Sequence, residues 1–506
     1  MAFNSLEFIL FLPFIVLLYW VIPHKFRWIL LLAASILVYM SFNAWFIIPI
    51  AVTICVSYSM SLLTAKTENR KKRKAYLIIT ITVCLGILIF FKYFEFLMQS
   101  VIDLINVFRA PEAAFGSVVW KILLPIGISF YTFQTLSYVI DVYKGKIAPE
   151  KHFGYYALYV IYFPQVFAGP IERPDKLLPQ LKEKKQFNND DMIIGFRWLL
   201  CGYIKKMVIA DFLAVFVNNV FGNVAGANAI SIFVAGLLFS IQIYCDFAGY
   251  TDIALGAARM MGIRLTKNFD RPFSATSPSQ FVQRWHISLN AWFRDYVYIP
   301  LGGSRKGKFR QCLNVFIVFA LCGLWHGADW SFVLWGLVVA ACVILETILH
   351  KPLLALRKKS KLKEPSRFGV LLRRAAFFIG VIFINLIFRA ENIGQLGQIY
   401  GRFFTTLGLG GAAFKAAIAS LNLNYMIVIR MAAVFFVLAL LPHLTDFENG
   451  ITPPAAFSNG PLADCGARSR YSRRLAAYLF GIILIALAWL ILLSGGGASD
   501  FVYFQF

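Results

Sequence analysis

Residues 6–22 read LEFILFLPFIVLLYWVI, an almost uninterrupted apolar run near the start of the chain. A helix needs about 20 mostly apolar residues, with a range of roughly 17–25, to cross the hydrocarbon core of a bilayer. No positively charged stretch precedes the run and no small-residue cleavage site follows it, so we expect a retained membrane helix and not a signal peptide. Further runs of this kind lie at 28–42, 44–62, 76–99, 119–141, 192–222, 228–248, 311–327, 330–350, 375–388, 425–443 and 475–494. Some are short or hold charges, and the sequence therefore predicts about 11–13 membrane helices.

The composition points to the same class of protein. The chain has 506 residues, of which 59% are apolar and 15% charged, and its mean hydropathy is +0.69. Soluble globular proteins are about 45–50% apolar and about 25% charged, so an aqueous fold could not bury this much apolar surface. The same values exclude a disordered, collagen-like, coiled-coil or disulfide-rich secreted protein. We predict an all-α, polytopic integral membrane protein that resides in a lipid bilayer.

The charge balance fits a membrane protein as well. The chain carries 49 basic and 25 acidic residues, a net charge of +24. In a soluble protein this excess would suggest nucleic-acid binding. In a membrane protein it follows from the enrichment of Lys and Arg in cytoplasmic loops and from anionic lipids, so we expect no nucleic-acid partner. Basic loops follow the first and third apolar runs, which places both loops inside and the N-terminus outside. The same count places the C-terminus outside.

One apolar segment, 154–170, breaks the alternation of inside and outside loops. The loops on both of its sides are basic, and the segment contains Pro164 and ends in Ala168-Gly169-Pro170. We therefore predict that it is re-entrant and enters the membrane without crossing it. Irregular backbone at membrane depth is tolerated only inside protein or beside a water-filled cavity, so we also expect a cavity.

The segment 246–310 is too polar for lipid and holds the densest group of reactive side chains. Its part from 283 to 304 reads QRWHISLNAWFRDYVYIPLGGS. The helical period places four polar side chains on one stripe, namely Gln283, His286, Asn290 and Arg294. Such a stripe is typical of a lined cavity, but an amphipathic helix at the membrane interface would show the same pattern.

A second group, GLWHGADW at 323–330, places His326 at the end of an apolar run. An ionisable residue at membrane depth is costly and suggests a functional site. A structural histidine bonded to a backbone carbonyl is the alternative. Gly323 and Gly327 favour a functional role, because glycines let substrate or backbone approach the imidazole closely.

No metal or disulfide chemistry is expected. The eight cysteines contain no CxxC pair and lie mostly in apolar stretches, which indicates small core residues. No ligand spacing such as HExxH links His286 to His326, so we expect no metal site.

Four segments together resemble the membrane-bound O-acyltransferase superfamily, and within it the bacterial polysaccharide O-acetyltransferases that include the alginate O-acetyltransferase membrane subunit. They are PIGISFYTFQTLSYVIDVYKG at 125–145, FPQVFAGPIERP at 163–174, RWHISLNAWFRDYVYIPLGGS at 284–304 and LWHG at 324–327. The resemblance extends over nearly the whole chain. It implies an α-helical membrane fold around a central chamber, with His326 as the essential histidine and His286 as its partner.

The resemblance also implies a reaction and its participants. The donor would be acetyl-CoA, a substrate and not a bound cofactor, and the acceptor an extracytoplasmic polysaccharide reached through a hydrolase-like partner protein. The location would be the cytoplasmic membrane of a bacterial cell. Acyl transfer needs a base and donors for the oxyanion. The side chains expected to support His326 and His286 are Asn290, Arg294, Asp295, Gln283 and Trp325. Asp295 and Asp246 could fix a tautomer or the helix geometry, or form structural salt bridges.

The CoA phosphates should bind on the cytoplasmic side, where basic loops cluster. The candidates adjoin the polar segment and are Arg305, Lys306, Lys308 and Arg310. Their alternative role is that of ordinary positive charges in a cytoplasmic loop.

Several readings of the function stay open. A D-alanine transferase acting on teichoic acids is the nearest rival within the superfamily, and a lipid acyltransferase that acts alone is another. A polysaccharide transporter would belong to a different class. The domain division that follows from the resemblance is 1–110 for N-terminal membrane helices, 111–350 for a catalytic core that includes 246–310, and 351–506 for C-terminal membrane helices.

Overall fold

The structure is a computed structural model that describes residues 1–109, 115–116, 118, 122–359 and 366–445. Within these ranges the regular structure is helical and no strand occurs, which confirms the predicted all-α class. The helices are α1 (Leu6–Val21), α2 (His24–Met40), α3 (Ile47–Lys66), α4 (Arg70–Leu88), α5 (Phe94–Asn106), α6 (Ile128–Tyr143), α7 (Phe153–Ile161), α8 (Pro174–Lys182), α9 (Asn189–Tyr203), α10 (Asp211–Phe221), α11 (Ala229–Met260), α12 (Pro278–Arg284), α13 (Ile287–Phe293), α14 (Lys308–His326), α15 (Trp330–Lys359), α16 (Arg367–Arg389), α17 (Ile393–Thr405), α18 (Gly411–Ser420) and α19 (Tyr425–Thr445). Three π-helical segments continue α4, α9 and α13, namely Ile89–Tyr93, Ile204–Ala210 and Arg294–Tyr298.

Six helical segments in the described ranges are long and apolar enough to cross a bilayer. They are Ala44–Lys66, Arg70–Asn106, Ala229–Met260, Lys308–His326, Trp330–His350 and Arg367–Arg389. A seventh is obtained if α18 and the first part of α19, which are bent by 76°, count as one span. The chain is thus a multi-pass membrane protein.

This number is lower than the 11–13 spans that the sequence predicts, because some apolar runs form shorter helices or carry more charge. The runs at 6–22 and 28–42 form α1 and α2, which have 16 and 17 residues. The run at 192–222 lies in a continuous helix through α9, its π-helical segment and α10, and it holds four charged residues. Of the run at 119–141, residues 128–141 lie in the 16-residue α6. The run at 475–494 lies outside the described residues.

The chain divides into two compact units. The first comprises residues 1–187 and 263–393, and the second comprises 188–262 and continues from residue 394. His286 and His326 both belong to the first unit. The division at residues 110 and 350 that the sequence suggests stays a prediction.

The segment predicted to be re-entrant forms a short helix and a buried loop in the first unit. Helix α7 has nine residues, so its length of about 14 Å is half of the roughly 30 Å of a hydrocarbon core. The loop that follows is buried, and side-chain hydroxyls accept its backbone N–H groups. The N–H of Phe163 donates to Ser35 Oγ at 3.0 Å, and that of Ile171 donates to Ser288 Oγ at 3.0 Å. Side chains of the protein thus provide hydrogen-bond partners for these N–H groups, as irregular backbone inside a membrane would need.

The second unit is built on the close packing of α9 against α11. Gly195 and Gly202 of α9 face Gly256 and Gly249 of α11, so both helices repeat glycine every seven residues. A Cβ atom placed on Gly202 would lie 2.6 Å from the carbonyl oxygen of Gly249, and one on Gly256 would lie 2.5 Å from that of Gly195. Small residues at such spacing let the backbones of membrane helices approach each other.

Buried charges of the second unit are paired at its π-helical segment. Lys205 pairs with Asp252, and Lys206 pairs with Asp211 at 2.9 Å and with Asp246 at 2.6 Å. Of the roles considered for Asp246, the structure therefore shows the salt bridge. Breaking a buried pair by removing one partner is strongly destabilising, which makes this cluster a structural anchor.

Gly202→Ala should destabilise the protein by about 1–3 kcal/mol, because the added methyl group overpacks the contact with Gly249. Gly380→Ala is the matched control. It lies inside α16 with no atom within 4 Å of the new Cβ, and replacing a helical glycine by alanine there should be neutral or stabilising by up to about 1 kcal/mol. Thermal unfolding of the purified protein in detergent measures both. Equal unfolding temperatures for the two variants would contradict the packing argument.

Candidate active site

His286 stands at a break between two short helices. Helix α12 ends at Arg284 and α13 begins at Ile287, and the backbone of His286 between them is left-handed, with φ 45° and ψ 55°. The continuous helical stripe predicted from Gln283 to Arg294 is therefore not formed. Gln283 is exposed, whereas His286 is only 1% exposed. A non-glycine residue in this region costs about 1–3 kcal/mol and is often found at functional sites.

Two asparagines hold the break in place. The side-chain amide of Asn290 donates to the carbonyls of Val282 and Trp285, at 2.8 and 2.6 Å. Asn268 accepts the Ile287 N–H on its backbone carbonyl at 2.9 Å, and its Oδ1 accepts from the Ser288 hydroxyl. The amide of Asn290 thus acts on the backbone beside His286.

His326 is the last residue of α14 and is 4% exposed. Its position depends on tight packing of α14 against α15. A Cβ on Gly323 would lie 2.3 Å from the carbonyl oxygen of Phe332, and one on Gly327 would lie 2.2 Å from the Phe332 ring. Gly323 and Gly327 therefore allow α15 to pack closely against the end of α14.

Aromatic rings bring the two histidines together. The indole of Trp325 contacts both imidazoles, with ring centroids 5.6 Å from His286 and 5.1 Å from His326. Phe130 of α6 contacts Trp325 at 5.2 Å. We call the group of His286, His326, Trp325 and the rings in contact with His326, which are Trp335 and Phe388, the aromatic cage.

Trp335 presents a polar group within this cage. Its ring meets His326 edge-on, with centroids 5.1 Å apart and planes at 85°. Its Nε1 is buried, and no acceptor for its proton occurs in the described part of the chain. A buried N–H without an acceptor is costly, so this indole is available as a donor to a bound group.

Burial controls the protonation of His286. Loss of solvent lowers the pKa of its imidazole well below 6.5, and the nearby His326 lowers it further. The neutral form of His286 therefore prevails near pH 7. A neutral imidazole can accept a proton or a hydrogen bond from a hydroxyl group.

The other side chains predicted to support the histidines lie apart from the aromatic cage. Arg294 is exposed and pairs with Asp295 at 2.8 Å. Asp295 also accepts from Arg173 at 2.9 Å, so the structure gives it the salt bridge that the sequence left open. Among the predicted residues, the cage contains His286, His326 and Trp325, with Asn290 adjacent through the backbone.

The basic loop precedes α14. Arg305, Lys306 and Lys308 are exposed, while Arg310 donates from its Nε to the carbonyl of Leu301 at 3.3 Å. Among the described residues, no group of three His, Cys, Asp or Glu side chains is placed to hold a metal ion.

Lys92 and Tyr93 are contacts that the sequence analysis missed. Lys92 Nζ donates to the carbonyls of Trp325 and His326, at 2.8 and 3.1 Å, and the Tyr93 hydroxyl donates to Leu324 at 2.9 Å. A signal was present, because Lys92 is a charged residue inside the apolar run at 76–99.

The sequence is similar to those of known proteins. The family model for MBOAT, the membrane-bound O-acyltransferase family, matches residues 147–389, a range that contains both histidines and Trp325. The probable alginate O-acetylase AlgI of Pseudomonas putida is 33% identical over 516 residues, with the whole of both chains covered. The peptidoglycan O-acetyltransferase of Helicobacter pylori is 30% identical over 399 residues, which are 72% of this chain and 71% of that protein. The teichoic acid D-alanyltransferase of Bacillus subtilis is 26% identical over 286 residues, 53% of this chain and 69% of that protein.

Helices of spanning length together with this similarity define a multi-pass membrane enzyme of the acyl-transfer class. The chain belongs to the membrane-bound O-acyltransferase family.

Acidification should destabilise the protein through His286. The pKa of this imidazole is lowered by burial, so below about pH 6.5 the unfolded chain binds a proton that the folded state does not. Stability should fall by up to about 1.4 kcal/mol per pH unit from this group. His286→Asn suits the left-handed backbone and should lose less stability than the wild type between about pH 7 and pH 5. Thermal unfolding in detergent at both pH values is the measurement.

The control is Gln283→Asn, which changes an exposed side chain that does not titrate and lies near His286. It should keep the decline of the wild type. An unchanged decline in His286→Asn would show that this imidazole is not held neutral.

Proposed function

We propose that the chain moves an acetyl group from cytoplasmic acetyl-CoA to hydroxyl groups of an extracytoplasmic polysaccharide. The reaction takes place in the inner membrane of a bacterial cell, and a secreted or membrane-anchored partner of the hydrolase type completes the transfer. The observation that carries the proposal is the burial of His286 and His326 around Trp325, inside the segment matched by the acyltransferase family. Similarity to alginate O-acetylases over the whole chain supports the acetyl group and the polysaccharide.

His326 is the general base in this mechanism. Its imidazole takes the proton of the acceptor hydroxyl while the oxygen attacks the thioester carbon. The tetrahedral intermediate then collapses, the carbon–sulfur bond breaks, and the CoA thiolate takes the proton from the imidazolium. The aromatic cage excludes water, which protects the thioester from hydrolysis.

The negative oxygen of the intermediate needs hydrogen-bond donors. Trp335 Nε1 fits this task, because its proton is buried beside His326 without an acceptor in the described residues. His286 orients the acceptor hydroxyl from the other side of Trp325. Asn290 acts through the backbone at His286, since its amide is engaged by two carbonyls.

His326→Gln should abolish acetyl transfer, with a loss of about 10²-fold or more, because the base is removed. Membranes that contain the chain are incubated with radioactive acetyl-CoA, and label is counted on polysaccharide and on a co-expressed extracytoplasmic partner. Gln283→Ala is the control, since its side chain is exposed and should leave transfer unchanged. Full transfer by His326→Gln at normal expression would overturn the assignment.

The same assay tests a second candidate, D-alanine transfer, which similarity to the teichoic acid D-alanyltransferase of B. subtilis favours. Transfer of label from a D-alanyl carrier protein, with none from acetyl-CoA, would establish this reaction instead. Polysaccharide flux without acyl transfer from either donor would identify a transporter.

The basic loop before α14 is proposed to bind the CoA phosphates. Lys306→Glu combined with Lys308→Glu should raise the KM for acetyl-CoA roughly tenfold or more with little change in kcat, since a hydrogen bond to a charged group contributes about 1.5–3 kcal/mol. Initial rates at varied donor concentration measure the effect. Lys71→Glu with Lys72→Glu makes the same charge change in another exposed basic stretch. An equal rise in KM there would reduce the effect to general electrostatics.

A further inference from the structure

Helix α14 ends where the proposed base stands, and its last carbonyls need donors. The final four carbonyl groups of a helix have no partner within the helix. The carbonyl of Gly323 accepts the Gly327 N–H at 3.4 Å. The next three, those of Leu324, Trp325 and His326, accept from the side chains of Lys92 and Tyr93. Two consecutive residues of a distant helix therefore complete the end of α14.

We infer that Lys92 and Tyr93 are positioning residues of the acyl-transfer reaction, which hold the last turn of α14 and thereby place His326 and Trp325. The inference rests on the function proposed above. It assigns a role to a segment outside residues 147–389, the range matched by the family.

The local backbone makes this double contact feasible. Lys92 and Tyr93 belong to the π-helical segment Ile89–Tyr93, which interrupts the apolar segment Arg70–Asn106. Consecutive side chains of a regular α-helix point about 100° apart, and both of these side chains nevertheless reach one helix end. Wider π-helical turns of this kind occur frequently at functional sites.

Charge and surroundings strengthen the contact. An ammonium group at the C-terminal end of a helix interacts favourably with the partial negative charge there. The amine and the ammonium form can both donate to the two carbonyls, and the bonds from the ammonium form are charge-assisted. A lysine inside a membrane span costs free energy unless it has such partners. A lysine without a role would therefore not be expected at this position.

The consequence for the reaction is geometric. The two carbonyls that accept from Lys92 belong to Trp325 and His326. The rings of these two residues are part of the aromatic cage, where Trp325 contacts both imidazoles. If the last turn of α14 unwinds, the His326 imidazole moves relative to the thioester. A misplacement of about 1 Å can reduce the rate about 10²-fold.

The test compares Lys92→Met, which keeps the length of the side chain, with Lys92→Arg, which keeps the donors. Acetyl transfer from acetyl-CoA by the full-length protein gives kcat and KM, per amount of monodisperse protein. We expect Lys92→Met to lower kcat about 10²-fold with little change in KM for the donor. Lys92→Arg should restore most of the rate. Tyr93→Phe should lower kcat by a smaller factor, because it removes one of three bonds.

Glu95→Gln is the matched control, since it removes a charge from an exposed side chain three residues further along the same span. Its kcat should equal that of the wild type. Hydrogen exchange of the α14 peptide that ends at Gly327 is a second readout, and Lys92→Met should accelerate it. A wild-type kcat in Lys92→Met would overturn the inference. An activity loss that disappears once rates are referred to folded protein would also overturn it, because the role would then be structural alone.

His326→Gln measured in the same assay separates the two proposals. If it retains full activity, the assignment of the base fails. If it is inactive while Lys92→Met is fully active, only the positioning role fails.

Discussion

A backbone polar group in a segment without water must find its hydrogen-bond partner within the protein, and the first unit is arranged around this constraint. Lys92 and Tyr93 donate to carbonyls at the end of α14, and Asn290 donates to carbonyls at the end of α12. Serine hydroxyls accept N–H groups of the buried loop after α7. The contacts of Lys92 lie at His326, and those of Asn290 and Ser288 lie within four residues of His286. The requirements of the membrane and the placement of the aromatic cage are thus met by the same bonds.

The π-helical segments share a second feature, which is a paired cationic side chain. Each of the three in the described ranges carries a cationic side chain, and each cation has an oxygen partner: Lys92 with carbonyls, Lys205 and Lys206 with aspartates, Arg294 with Asp295. The wider turn interrupts the regular hydrogen-bond ladder where a charge must be accommodated. In two of these segments the charge is buried or partly buried, and in the third it is exposed.

Much of this architecture could be predicted from the sequence because the signals are local. The length and polarity of apolar runs such as 44–62 and 330–350 can be read directly from the sequence. His326 is recognisable because an ionisable side chain is unusual in such a run. The break at His286 could not be predicted from periodicity, since it depends on Asn268 and Asn290, whose contacts appear only after folding. Lys92 was overlooked because its acceptors lie more than 230 residues further along the chain.

The left-handed backbone at residue 286 also limits what this position could become. Among side chains, asparagine, aspartate and histidine tolerate such a conformation best, and glycine tolerates it freely. Of these four residues, only histidine titrates near neutral pH without help from its surroundings. The turn therefore admits few ionisable side chains besides histidine and aspartate, so an evolutionary path to lysine or glutamate at this position would first have to rebuild the turn.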